Sequence, residues 1–116
     1  MKIKNKNNCK KIKLADSYLK RLKGLMFKKN IDYGLLIETK LGSSIHTYFM
    51  NFSIDIYFIK NNIVFEKTTL APWSFYKPKK EADYILEFKS NDFKIKKGEE
   101  ILITRNNQEY LKALRI

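Results

Sequence analysis

The stretch Ile45–Ile59, IHTYFMNFSIDIYFI, decides the fold. It holds the chain's only histidine, His46, with five aromatic residues, Met50 and a single acid, Asp55. β-Branched and aromatic residues in succession over this length read as a strand buried on both faces, around which the remaining elements are arranged. Asp55 is the anomaly in that run. An ionised carboxylate among apolar side chains costs on the order of several kcal/mol unless cations or donors meet it. By alternation Ser53, Asp55, Tyr57 and Ile59 share one face, and Ile54, Ile56 and Phe58 the other. Asp55 is therefore expected to be a buried carboxylate at a cavity or barrel opening, with Arg21 as its leading partner.

Working outward, Lys60-Asn61-Asn62 reads as a hairpin turn, and Ile63 to Leu70 as the antiparallel partner strand. Pro72 ends that strand, and Ser74 to Lys80 reads as a loop. Further strands are expected at Asp83 to Phe88 and Ile101 to Thr104, with Glu109 to Ile116 a closing strand or a helical turn. In the other direction lies the short strand Gly34 to Glu38. Before it, Asp16-Ser17 is an N-cap signal for a short helix that ends at Gly24. Lys2 to Lys6 and Lys10 to Ala15 alternate lysine with Ile3, Ile12 and Leu14, the pattern of half-exposed strands. The fold class expected is a β-rich α+β arrangement: a curled, mostly antiparallel sheet or barrel of about six to eight short strands with one short helix. Residues 1–116 are expected to form a single domain.

Charge and cysteine content narrow the setting. Cys9 is the one cysteine, which rules out an intramolecular disulfide and, with no signal-peptide or membrane-spanning run in the sequence, points to the cytoplasm and no membrane. The net charge of +12 raises nucleic acid as a partner. Against it, 21 of the 24 basic residues are lysine, whereas specific phosphate and base readers lean on the arginine fork. Whether the charge is functional or compositional stays open.

Three segments together resemble a known family, domain of unknown function 192, also called uncharacterised protein family 0127. They are RLKGLMFKK at Arg21 to Lys29, IHTYFMNFSIDIYFI at Ile45 to Ile59, and LAPWSFYKPKKEADYILEF at Leu70 to Phe88, followed by IKKGEEI at Ile95 to Ile101. The match runs over about residues 15–103 in the order the family uses. The family's first motif falls on Arg21, Gly24, Leu25 and Met26. The archaeal-like form of its second falls on His46, Met50 and Asp55, where many bacterial relatives have tryptophan and methionine in place of His46 and Thr47. The proline usual two places before the aspartate is Ser53 here, and the glycine usual after the leucine-glutamate strand is Asn91. The resemblance implies a compact β-rich domain and no established activity.

Candidate ligand-binding residues are Arg21, Met26, His46, Met50, Asp55 and Trp73. Arginine is scarce in this chain, so Arg21 would either hold an acidic ligand or tie the helix to the barrel through Asp55. Met26, Met50, Trp73, Phe75 and Tyr76 would line a cavity or fill the core. Glu87 would join the same polar cluster or face solvent. His46 with Asp55, or with Cys9, could form an acid–base or nucleophile pair, but no motif is specific enough to name a catalytic residue. No metal site is expected, because one histidine and one cysteine cannot close a four-ligand zinc site, and no cofactor is implied. The leading expectation is a binding or accessory protein with an aromatic-lined pocket for a small polar or acidic ligand. The alternative is nonspecific nucleic-acid binding through the lysine-rich surface, and an enzyme using His46 and Asp55 comes third. Ligand identity and oligomeric state are not encoded in these patterns.

Overall fold

A computed structural model describes the backbone of residues 2–5, 8–15, 25–39, 42–104 and 110–114, and the side chains of 12–14, 25–39 and 42–101. Ten strands lie within them: β1 (Lys2–Asn5), β2 (Asn8–Ala15), β3 (Gly34–Glu38), β4 (Ile45–His46), β5 (Ile54–Lys60), β6 (Ile63–Leu70), β7 (Phe75–Tyr76), β8 (Tyr84–Lys89), β9 (Glu100–Thr104) and β10 (Tyr110–Leu114). Eight close into a barrel in the order β1-β10-β9-β6-β5-β8-β3-β2, and β4 pairs with β7 in a separate ribbon. Neighbours are antiparallel except β1 with β10 and β2 with β3. The closing segment is thus a strand. The expected helix ending at Gly24, and Arg21 with it, lie outside the described residues.

β5 is the centre of the sheet, hydrogen-bonded to β6 on one side and β8 on the other. Its two faces enter two separate cores. Tyr57 and Ile59 point into the barrel with Ile12, Leu36, Val64, Leu86, Phe88 and Ile101, drawn from β2, β3, β6, β8 and β9. Ile54, Ile56 and Phe58 point outward under a second layer that includes Leu25, Ile31, Ile45, Met50 and Phe52. A closed barrel leaves few edges to hide, and the second layer removes the outer apolar face from water. Gly34 is required by the inner core. A Cβ there would run into the Phe88 ring and lie 2.6 Å from Ile12 Cδ1.

The expectation of one strand through 45–59 is corrected. Only Ile54–Lys60 is a barrel strand, and residues 47–53 between β4 and β5 form turns. The apolar composition of this run reflects two different burials and one exposed tip, a distinction that hydropathy does not carry. The loop expected from Ser74 to Lys80 likewise contains β7, whose pairing with β4 places Ile45 opposite Tyr76 and His46 opposite Phe75. The predicted hairpin at Asn61-Asn62 is present. Both residues have positive φ, 52° and 66°, the backbone that a two-residue hairpin turn matched to strand twist requires and that asparagine tolerates.

β6 and β9 share one ladder pair, Ile63 with Glu100, so the barrel wall is thin there. The loop between β8 and β9 fills the seam. Phe93 and Ile95 are buried, and the Tyr57 hydroxyl clamps them by donating to the Phe93 carbonyl at 2.9 Å and accepting the Ile95 N–H at 3.2 Å. Burial pushes the Tyr57 phenol above its ordinary value of 10.0. The Ile95 N–H opposes that shift, and the Asp55 and Glu99 charges add to it.

Candidate functional site

Two turns, 47–50 and 71–74, meet at Thr47, which is fully buried. Its N–H donates to the Ser74 carbonyl at 2.8 Å, and its carbonyl accepts from the N–H groups of Met50 at 3.2 Å and Trp73 at 2.9 Å. Its hydroxyl accepts the Ser74 N–H at 2.8 Å and donates to the Ala71 carbonyl at 2.6 Å. One side chain thereby satisfies backbone groups that neither turn could pair by itself. The consequence is positional: Tyr48 and Phe49 on one turn are locked beside Trp73 on the other.

A continuous series of rings results. Phe27 and Phe49 lie 5.2 Å apart between centroids, Phe49 and Trp73 4.6 Å, Trp73 and Tyr48 6.1 Å, and Tyr48 stacks on His46 at 4.6 Å with a 17° interplanar angle. Phe75 flanks His46 through the β4–β7 pairing, in which Ile45 and Tyr76 take the buried face and His46 and Phe75 the outer one. These rings face water. Phe27 is 69%, Trp73 61%, Phe75 59% and Phe49 45% exposed.

Three of the exposed rings sit on strained backbone. Phe27, Phe49 and Trp73 have φ of 63°, 62° and 61°, whereas the other non-glycine residues at positive φ among the described residues are all asparagine. For a bulky L-residue this conformation costs roughly 1–2 kcal/mol. Each is held by its surroundings. The Phe27 N–H donates to the Phe49 carbonyl at 2.9 Å, Trp73 is tied to Thr47, and Pro72 presets the first turn dihedral so that Trp73 falls where such a turn favours glycine.

Asp55 belongs to a different place. It lies on the barrel-facing side of β5, 9% exposed, opposite Thr69 on β6 and Phe88 on β8. Oδ1 accepts the hydroxyls of Thr69 at 2.7 Å and Ser90 at 3.3 Å, and Oδ2 accepts the Asn91 N–H at 2.9 Å. Asn91 presents that N–H from a turn at φ 68°, a left-handed conformation that asparagine accepts. The expected buried carboxylate met by donors is therefore present. Its described donors are two hydroxyls and one amide of the neighbouring elements. A cavity of about 240 Å³ adjoins it, lined also by Tyr57, Lys67, Thr68 and Lys94.

The six candidate residues thus separate. His46 and Trp73 belong to the ring surface, and Met26, half-buried, immediately precedes Phe27. Met50 is packed in the outer core. Asp55 orders the barrel mouth, and Arg21 lies outside the described residues. Glu87 joins neither the Asp55 cluster nor solvent: it is buried on the outward face of β8, opposite Ile56 and Leu35. His46 and Asp55 each have their own partners, since His46 Nδ1 accepts the Tyr48 N–H at 3.3 Å and its ring covers Tyr48. Phe27, Tyr48 and Phe49 were not singled out by the sequence, whereas Phe75 was named there as a cavity or core residue. The available signal was Pro72 beside Trp73, a turn pair with tryptophan where glycine is the ordinary choice. Thr47 carried no signal of its own.

A second polar cluster flanks the ribbon. The Tyr76 hydroxyl donates to Glu66, which also accepts the Lys79 N–H at 3.0 Å. Burial works to raise the Glu66 carboxyl, but those two donors and the charges of Lys79 and Lys97 together hold it below 4.5. The bond to Glu66, and then burial, raise the Tyr76 phenol above 10.0.

Among the described residues no helix is long and apolar enough to cross a membrane. In fold the chain is similar to a protein of unknown function from Novosphingobium aromaticivorans, with a TM-score of 0.65 and 16% identity, covering 72% of this chain and 66% of that one. It thus spans just under two thirds of the Novosphingobium protein. A protein described as a candidate transcription regulator from Sinorhizobium meliloti matches equally well, with a TM-score of 0.65 and 18% identity over 78% of each chain. At these identities the likeness is one of fold. In sequence, a UPF0127 protein of Pyrococcus horikoshii is 46% identical over 80 residues, covering 66% of this chain and 70% of its own. The model of DUF192, described as Uncharacterized ACR, matches residues 1–103, and the chain belongs to that family.

Proposed function

We propose that the chain is a binding domain whose working surface is the series of rings from Phe27 to His46, taking a polar or acidic ligand that carries a flat ring. The observation that carries this reading is the combination of exposure and strain at Phe27, Phe49 and Trp73. Rings facing water add little to a core, and glycine or asparagine would hold the same turns at lower cost. Strained positions that persist against folding are concentrated at binding and catalytic sites. Chemistry on the surface suits the ligand class. With Nδ1 accepting a backbone N–H, neutral His46 carries its proton on Nε2 as a donor, and Lys28, Lys29 and Lys77 supply positive charge on the segments that bear the rings. The setting proposed is the cytoplasm, on the single cysteine.

Trp73 is the only tryptophan, so its emission reports on this surface alone. Titrating the purified protein with ring-bearing acids, such as mononucleotides and aromatic carboxylates, should quench or shift that emission saturably and raise the melting temperature. A thermal shift that persists undiminished in Trp73→Gly would place binding elsewhere and refute the reading.

A further inference from the structure

Resting on that reading, we infer that the occupant of the ring surface is single-stranded nucleic acid, with bases on the rings and phosphates on the adjoining lysines. Charge complementarity is the first ground. The three segments that bear the rings, 26–30, 46–51 and 71–77, contain no aspartate or glutamate, while Lys28, Lys29 and Lys77 stand within them. All three lysines are exposed. Segments that are aromatic and cationic, and that carry no acid of their own, match a polyanion that also offers flat rings.

Ring spacing is the second ground. The successive centroid separations, 4.6–6.1 Å, exceed the roughly 3.4 Å step between stacked bases of one strand, so bases meeting successive rings must be unstacked and splayed. A single strand can splay them. A duplex keeps its base faces inside and presents sugar and phosphate, which leaves the Trp73 and Phe49 rings nothing to stack on. Exposed aromatics with lysines also fit an anionic lipid surface, but three of the ring contacts are tilted, by 36° to 58°, so the rings present separate faces as well as edges. Separate faces serve stacking. Rigidity is the third ground: Thr47 and the Phe27–Phe49 backbone bond hold the rings in place before any ligand arrives, which lowers the ordering cost of binding.

The test uses the full chain and four probes: oligodeoxythymidine and oligouridine of about 12 nucleotides, a duplex of the same length, and phosphatidylserine-containing vesicles, with a mononucleotide as control. The inference expects saturable quenching of Trp73 by the single strands and much weaker binding of the duplex. Raising salt from about 50 to 200 mM should weaken single-strand binding about twentyfold, the response of about three neutralised phosphates. Trp73→Gly, followed by anisotropy of a labelled oligonucleotide, should lose about tenfold or more in affinity, and Lys28→Ala with Lys29→Ala should flatten the salt response. Equal binding of duplex and single strand, or an unchanged affinity in Trp73→Gly, would overturn the inference. So would quenching by vesicles alone. Quenching by the mononucleotide with no gain from chain length overturns it too, while leaving the small-ligand reading standing.

Discussion

Replacing Asp55 by asparagine keeps the shape of the side chain and removes the charge that orders the barrel mouth. The carboxylate accepts three hydrogen bonds, from the Thr69 and Ser90 hydroxyls and the Asn91 N–H. Each bond to a charged acceptor contributes about 1.5–3 kcal/mol and each neutral one about 0.5–1.5. The amide oxygen can still accept the two hydroxyls, each bond weakened by about 1 kcal/mol, but the amide NH2 cannot accept the Asn91 N–H, so that bond is lost, for about 4 kcal/mol over the set. An amide is less costly to bury than a carboxylate, which returns part of that. The net expectation is a loss of about 2–3 kcal/mol, seen as a fall in the urea midpoint at unchanged slope and about 10 °C or more in melting temperature. Thr69→Val completes a double-mutant cycle, and the two changes should be non-additive because they share one bond. An Asp55→Asn protein within about 0.5 kcal/mol of the parent would refute the role given to this carboxylate.

Thr47→Val should leave the Ser74 N–H and Ala71 carbonyl without their side-chain partner, lowering stability by roughly 1–3 kcal/mol in urea unfolding. The same change should alter Trp73 emission in the folded protein as the two turns separate. The Glu66 carboxyl is held below 4.5, so its contribution should be present above that value and disappear as pH falls through the folded one. Glu66→Gln should remove that component of the acid limb of a stability–pH curve. In an alkaline absorbance titration Tyr57 and Tyr76 should ionise above pH 10, and the stability tied to their neutral forms should be lost as pH rises through the folded values. Glu66→Gln should bring Tyr76 back toward 10.0 and leave Tyr57 where it was.

The barrel was legible where local patterns and tertiary burial agree. Asn61-Asn62 between two apolar runs fixes the β5–β6 hairpin, and Asp55 in an apolar run announces a paired carboxylate before any partner is known. What composition could not separate was the first half of the 45–59 stretch from the second. Ile45, Met50 and Phe52 enter the outer core, Tyr48 and Phe49 face water, and all five are apolar or aromatic. The difference comes from Thr47, whose hydroxyl is satisfied by residues more than twenty positions away, Ala71 and Ser74. Long-range backbone pairing of this kind leaves no periodic trace. Glu87 misled for a related reason. A period of two assigns a side chain to a face, but whether that face is wet depends on the second layer laid over it.

The rings are kept at the surface against the preference of the backbone, and the unfolding free energy of Trp73→Gly tests this most directly. Glycine removes the strain of φ 61° and an indole that is 61% exposed, against some gain of freedom in the unfolded chain. The predicted result is a protein at least as stable as the parent, by up to about 1 kcal/mol, that no longer binds at the ring surface. A loss of more than about 1 kcal/mol would mean that the indole is retained for packing, and would contradict the account.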